Sequence, residues 1–253
     1  MRSPRSFQKV PAEGRRTCAL SLWPLLALVG VALAGAPGDA AERGALSRAE
    51  ILLAERRLAD LGYWTGPVDG VWDGASRQAL VAFQKIEGAR PTGRLTRAEG
   101  NALSVTVPPR PRETAGPHVE IDIGRQVLFL VDGEGKVGNI LPISSGSGKT
   151  FHENGYPETL AVTPCGRLEV YARASGWKTS PLGRMHNPFY IVGGIAIHGS
   201  EDVPTYPASH GCIRIPLFAS ERLPRLVPQG TPVYVYGCAD ERPIQRGNAA
   251  AQP

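Results

Sequence analysis

Apolar residues recur at helical spacing between Ser47 and Leu103, then switch to alternation beyond His118. Ser47 with Glu50 forms a capping box ahead of AEILLAERRLADLG, where Ile51, Ala54, Leu58 and Leu61 share one helical face. Gly62 closes that helix. GYWTGPVDGVWDG is a turn-rich loop with Gly66-Pro67 and Asp69-Gly70. A second helix carries Ala79, Phe83 and Ile86 on one side and stops at Gly88, and Thr96 with Glu99 opens a short third helix toward Leu103. The pattern predicts a small all-α module of three helices over 47–103. From Ser104 to Pro117 the text SVTVPPRPRETAGP holds four prolines and no apolar period, which predicts a stiff, extended linker. Then HVEIDIGRQVLFLVDGEGKVGNILPISS reads as two strands joined by the turn at Asp132-Gly133. GRLEVYAR, FYIVGGIAIHG and TPVYVYG are further strand-like stretches, so 118–238 is expected to be a mostly β domain with a flexible tail over 239–253.

Charge separates the N-terminus from the rest. Arg2, Arg5, Lys9, Arg15 and Arg16 stand against Glu13 in the first 36 residues, placing +4 of the net +5 there. The remainder is close to neutral and lacks the basic face a nucleic-acid binder needs. The basic start leads into CALSLWPLLALVGVALAGA, which with Ala32, Ala34 and Ala36 has the layout of an export signal over 1–36. Cleavage is expected after Ala34, with Pro37 disfavouring the later choice. The rival is an uncleaved anchor, interrupted by Pro24 and barely long enough to span, so membrane contact is expected only if the leader is retained. Export to a periplasm or cell surface leaves Cys165, Cys212 and Cys238, an odd number. If one must stay free for chemistry, Cys165 and Cys238 are the natural pair, although sequence gives no distance between them.

The helical stretch carries a resemblance. RLADLGYWTGPVDGVWDGASRQALVAFQ, followed by GARPTGRLT, resembles the three-helix peptidoglycan-binding domain common on bacterial cell-wall enzymes. Wall binding is assigned to the module and to no single residue: Tyr63, Trp64 and Trp72 read equally as core aromatics, and Asp69 and Gly70 as turn-formers. Removing residues 37–103 is accordingly expected to weaken mainly wall binding. SSGSGKT, at Ser144–Thr150, imitates a phosphate-binding loop, but Ile143 occupies the place of the first glycine and no helical pattern follows. It is a loop.

The chemistry concentrates in IAIHGSEDVPTYPASHGCIRI. His198, His210 and Cys212 would make three zinc ligands, yet no familiar ligand pair occurs, and neither metal nor cofactor is expected. A cysteine attacks as its thiolate, and a nearby imidazole removes its proton. His198 ends an apolar strand, a rigid platform for a base, and Gly211 beside Cys212 leaves the main chain open to substrate.

SHGCIRI, preceded by HG at a strand end, is similar to the active-site signature of the YkuD-type L,D-transpeptidases, a resemblance running from about His118 to Gly237 and including TPCGRLEV. The resemblance implies that Cys212 attacks the carbonyl of the third residue, a diamino acid, of a peptidoglycan stem tetrapeptide. D-Alanine leaves, and an amine from a neighbouring stem takes the acyl group. It implies His198 as general base with its ring oriented by a carbonyl such as that of Gly199. It also implies His210 near the oxyanion, and the N–H groups of Gly211 and Cys212 as the hole. Arg214 would meet a substrate carboxylate or a structural acid, and Ser209 would be a hydrogen-bonding prop. Ten residues separate His198 from Ser209, Ile215 stands where some relatives are polar, and Leu168 replaces the usual Phe. His118, His152 and His186 lie outside the signature and read as surface or structural. With water as acceptor the same site would be an L,D-carboxypeptidase. The remaining rivals are a non-catalytic peptidoglycan-binding protein and a cysteine protease.

Overall fold

A computed structural model describes residues 45–114, 116–152 and 157–238. The expected export signal at 1–36 and the tail at 239–253 lie outside the described residues. Helix α1 (Arg48–Asp60) starts at Ser47, whose side chain and that of Glu50 cap each other's backbone amides. Helix α2 (Gly74–Ile86) is capped by Asp73, and α3 (Arg97–Val105) by the reciprocal pair Thr96 and Glu99. Between α1 and α2 the buried Glu55 carboxylate accepts from the amides of Asp69 (3.1 Å) and Gly70 (2.8 Å) and from Ser76 Oγ (2.6 Å). One side chain thus satisfies the turn that Asp69 and Gly70 form.

The β part holds two sheets. In the first, β1 (His118–Asp122), β2 (Val127–Val131), β3 (Val137–Pro142), β6 (Gly166–Glu169) and β12 (Pro232–Tyr236) lie in the order β3-β2-β1-β12-β6, with β1 and β12 parallel. In the second, β11 (Ile213–Pro216), β10 (Ile195–Ser200), β9 (Gly183–Val192) and β7 (Ala172–Arg173) follow one another, and β8 (Trp177–Ser180) also pairs with β9. A hairpin of β4 (Thr150–Phe151) and β5 (Thr159–Leu160) stands apart. Helix α4 (Leu217–Leu226) follows β11 directly.

Three stretches hold more strands than the sequence pattern predicts, GRLEVYAR among them because it divides into β6 of the first sheet and β7 of the second. The two expected at 118–145 are three, because the chain also turns at Ile123–Gln126, where Gln126 adopts φ 57 without being glycine. FYIVGGIAIHG is not one strand but the hairpin β9–β10, turned by Gly193-Gly194. Such a Gly-Gly pair suits a tight hairpin turn.

The linker and the module are also less separate than expected. The amides of Arg112 (3.0 Å) and Glu113 (2.7 Å) bind the fully buried Glu120 carboxylate, which also accepts from Tyr236 Oη at 3.0 Å. Arg112 lies over the Tyr236 ring, 4.2 Å from its centroid. The linker is therefore docked on β1 and β12. The module shares a core with the first sheet: Ala54, Leu58, Leu61, Tyr63, Leu80 and Phe83 pack with Val127, Phe129, Val131, Val137 and Ile140. The opposite face of that sheet, with Ile121, Leu128 and Val235, packs on Phe189, Ile197 and Ile213 of the second. Gly62 makes the join possible. It takes φ +92, a side chain there would approach the Val137 carbonyl at 3.2 Å, and its own carbonyl accepts from Ile140 N at 2.8 Å. Trp64 then enters the β core edge-on to Phe218, so it is a packing residue, and Tyr63 is buried likewise.

Candidate active site

Strand alternation builds the site. Strands β10 and β11 run parallel, with Ile197 opposite Ile213 and His198 opposite Arg214. Ile197, Ile213 and Ile215 enter the core, so His198, Arg214 and Cys212, one residue before β11, share the other face. All three line a cleft of about 650 Å³ together with Ser209, His210 and apolar side chains that include Val162 and Trp177. Among the described residues Cys212 is the free cysteine, while Cys165 and Cys238 form a disulfide.

The turn ahead of Cys212 is held from below by the stretch that imitates a phosphate loop. Ser144 exchanges main-chain hydrogen bonds with Arg214 (3.1 and 3.0 Å), and the Ser145 carbonyl accepts from the amides of Ala208 (3.0 Å) and Ser209 (2.9 Å). Thr163 Oγ1 donates to the Gly211 carbonyl at 2.7 Å and accepts from Gly146 N at 2.9 Å. Ser209 Oγ donates to the Cys212 carbonyl at 2.5 Å and accepts the Gly211 amide at 3.0 Å. Ser209 thus props the cysteine turn from inside it. Ser145, Thr163 and Gln126 carry no signal in the sequence, because their roles arise only where distant segments meet.

The Gly211 N–H, expected to help hold an oxyanion, donates to Ser209 Oγ at 3.0 Å in this structure. Gly211 is needed for the turn itself: φ is +135, and a side chain would come within 3.0 Å of the Val162 carbonyl.

His198 is 4% exposed, and its Nδ1 lies 3.0 Å from the Gly199 carbonyl. A carbonyl only accepts, so Nδ1 carries the hydrogen and Nε2 keeps its lone pair. Burial lowers the imidazole pKa to about 4, Arg214 adds to that, and the Gly199 bond opposes it. Burial also raises the Cys212 thiol, against the Ala196 backbone and Arg214, which lower it. Thiol and imidazole are both neutral at rest near pH 7. His210 sets its ring against Phe151, with centroids 4.7 Å apart. Arg214 Nη1 lies 3.9 Å from an Asp202 carboxylate that is 79% exposed, a weak pairing in water.

The other histidines stand elsewhere. His118 is buried, with Nε2 3.2 Å from Glu120, His186 Nδ1 lies 2.8 Å from Ser220 Oγ, and His152 is exposed. Among the described residues, no three His, Cys, Asp or Glu side chains gather as a metal site would require.

The L,D-transpeptidase catalytic domain (YkuD) family model matches residues 116–235, and a peptidoglycan-binding domain model matches 47–103. The crystal structure of an L,D-transpeptidase (residues 123–326) from Xylanimonas cellulosilytica is 40% identical, with a TM-score of 0.69 over 74% of this chain and 93% of that one. An L,D-transpeptidase (Yku) structure from Stackebrandtia nassauensis is 19% identical, with a TM-score of 0.43 over 74% of this chain and 90% of that one. Among curated proteins, the localization factor PodJL of Caulobacter vibrioides is 43% identical over 61 residues, 24% of this chain. The chain spans only 6% of that protein.

Proposed function

Because the chain belongs to the L,D-transpeptidase (YkuD-type) family and carries a peptidoglycan-binding domain, we propose that it cross-links peptidoglycan by acyl transfer through Cys212. The observation that carries this reading is one strand face presenting Cys212 and His198 together in a partly apolar cleft. As Sγ attacks the carbonyl of the third stem residue, His198 Nε2 takes the thiol proton, so the neutral pair never has to ionise in advance. The tetrahedral intermediate collapses with the bond to D-alanine breaking, and the imidazolium returns the proton to the departing amine. The thioester is then attacked by an amine of a neighbouring stem, His198 accepts its proton, and the Cys212 thiolate leaves and is reprotonated. Arg214, weakly paired with Asp202, is a cation available to a stem carboxylate, and Arg184 lines the same cleft. His210 borders the acyl position beside Phe151.

The helical module would hold the wall polymer. A groove of about 600 Å³ lined by Glu50, Leu53, Arg57 and Arg97 supports this, because its lining comes from the module and the residues directly flanking it, Leu46 and Ser104. Export with cleavage after Ala34 is part of the same reading, and the Cys165–Cys238 disulfide suits an oxidising compartment.

Mass spectrometry of products tests the reaction. The wild-type chain and Cys212→Ser are incubated with soluble disaccharide-tetrapeptide. A cross-linked dimer lacking one D-alanine, formed only by the wild type, is the expected result. Tripeptide alone would make water the acceptor and the enzyme a carboxypeptidase, and no change would leave a binding protein.

A further inference from the structure

Lys85 of α2 is 8% exposed and crosses into the β domain, where its Nζ donates to the carbonyls of Gln126 (3.1 Å) and Ile143 (3.0 Å). Among the described residues no carboxylate pairs with it. An apolar side chain would seal the same interface at lower desolvation cost, so what the amine adds is the fixing of those two carbonyls. Even uncharged, it has a hydrogen for each.

What it fixes leads to the cysteine. Gln126 sits at φ 57, a conformation that non-glycine residues keep only when neighbours hold them there. Its side chain grips Ser145 twice, donating from Nε2 to Oγ at 2.7 Å and accepting the amide at 2.9 Å. The Ser145 carbonyl takes the amides of Ala208 and Ser209, and Ser209 Oγ closes on the Cys212 carbonyl and the Gly211 amide. Gln126, Ser145 and Ser209 are 5%, 0% and 3% exposed, so water cannot replace a broken link.

We propose that Lys85, a residue of the peptidoglycan-binding domain, is a positioning residue for the Cys212 turn, acting through Gln126, Ser145 and Ser209. The two domains are then parts of one catalytic unit. This rests on Cys212 being the nucleophile.

The test compares wild type, Lys85→Met and Ser145→Ala in the full chain. Three quantities are read: the rate of Cys212 alkylation by iodoacetamide, amide hydrogen exchange, and kcat and KM on soluble disaccharide-tetrapeptide. In each variant kcat is expected to fall about ten-fold with KM within about two-fold, since the turn is displaced while the cleft is kept. Alkylation should change by at least about three-fold, and the amides of Ala208 and Ser209 should exchange faster while those of Val233 and Val235 do not. A folded Lys85→Met with wild-type alkylation, exchange and kcat overturns the proposal. So does exchange that quickens evenly across the β domain, which would mean lost stability alone. If Lys85→Met does not fold, Ser145→Ala, lacking only one interior oxygen, is judged by the same readings. Alkylation and exchange need no turnover, so they decide the matter even if the wild type proves not to be a transpeptidase.

Discussion

At the scale of single residues, burial sets the behaviour of the nucleophile and its base. A cysteine whose thiol is pushed up and a histidine held near 4 do not form a resting ion pair. Alkylation of Cys212 by iodoacetamide should therefore climb steadily with pH through the alkaline range, slower than free cysteine at pH 7. A plateau of fast reaction between about pH 5 and 7, as a preformed thiolate gives, would contradict the neutral pair. Cys212→Ser should lower turnover by at least about a thousand-fold, because a hydroxyl is far harder to deprotonate than a thiol. His198 also leaves a mark on stability. Its folded pKa lies below the ordinary 6.5, so the unfolded chain binds the proton first as pH falls. Stability from this group is whole above about pH 6.5 and is lost toward pH 4, by roughly 2 kcal/mol at pH 5. Urea unfolding at pH 7 and pH 5 should show that drop in wild type and a smaller one in His198→Gln.

At the scale of elements, most helices announce themselves and several strands do not. Capping boxes at Ser47 and Thr96 and the stops near Gly62 and Gly88 are local chemistry, readable in a few consecutive residues. The turn between β1 and β2 hides because its left-handed residue is Gln126, held by Ser145 from another segment. Helix α4 hides for a related reason: it begins straight after β11 without a side-chain cap, carries Pro224 inside, and is made worthwhile by burying Ala219 and Leu223 in the β core. The Cys165–Cys238 disulfide ties the chain just before β6 to the chain just after its partner strand β12, across a separation of 73 residues. Replacing both cysteines by serine should lower stability by roughly 4 kcal/mol on loop entropy. Turnover at 25 °C should be kept, since neither sulfur lines the cleft. Thermal unfolding and product assays would check both parts.

At the scale of the molecule, the helical module is part of the fold of the β domain. Its removal would bare Val127, Phe129, Val131, Val137 and Ile140. At about 2 kcal/mol for each large apolar side chain, the loss is on the order of 10 kcal/mol, comparable with a domain's whole stability. A chain lacking residues 37–103 is thus expected to aggregate or unfold, rather than merely to lose wall binding. Circular dichroism and light scattering of that truncation would decide; a folded, soluble, fully active remainder would contradict it.

The sequence by itself determined the order of a three-helix module and a mostly β domain, and the grouping of His198, Ser209, His210 and Cys212 in one short stretch. Those features depend on local periodicity, on capping and on residues near each other in the chain. Tertiary structure alone decided that Gly211 gives its amide to Ser209, that the SSGSGKT loop underpins the cysteine turn, and that Lys85 reaches across from the module. VLFLV, from Val127 to Val131, shows where the boundary lies. Five apolar residues in succession suit a strand covered on both faces, but only the fold says that helices cover one face and a second sheet the other. Contacts between distant segments depend on which surfaces meet, and no short stretch of residues carries that information.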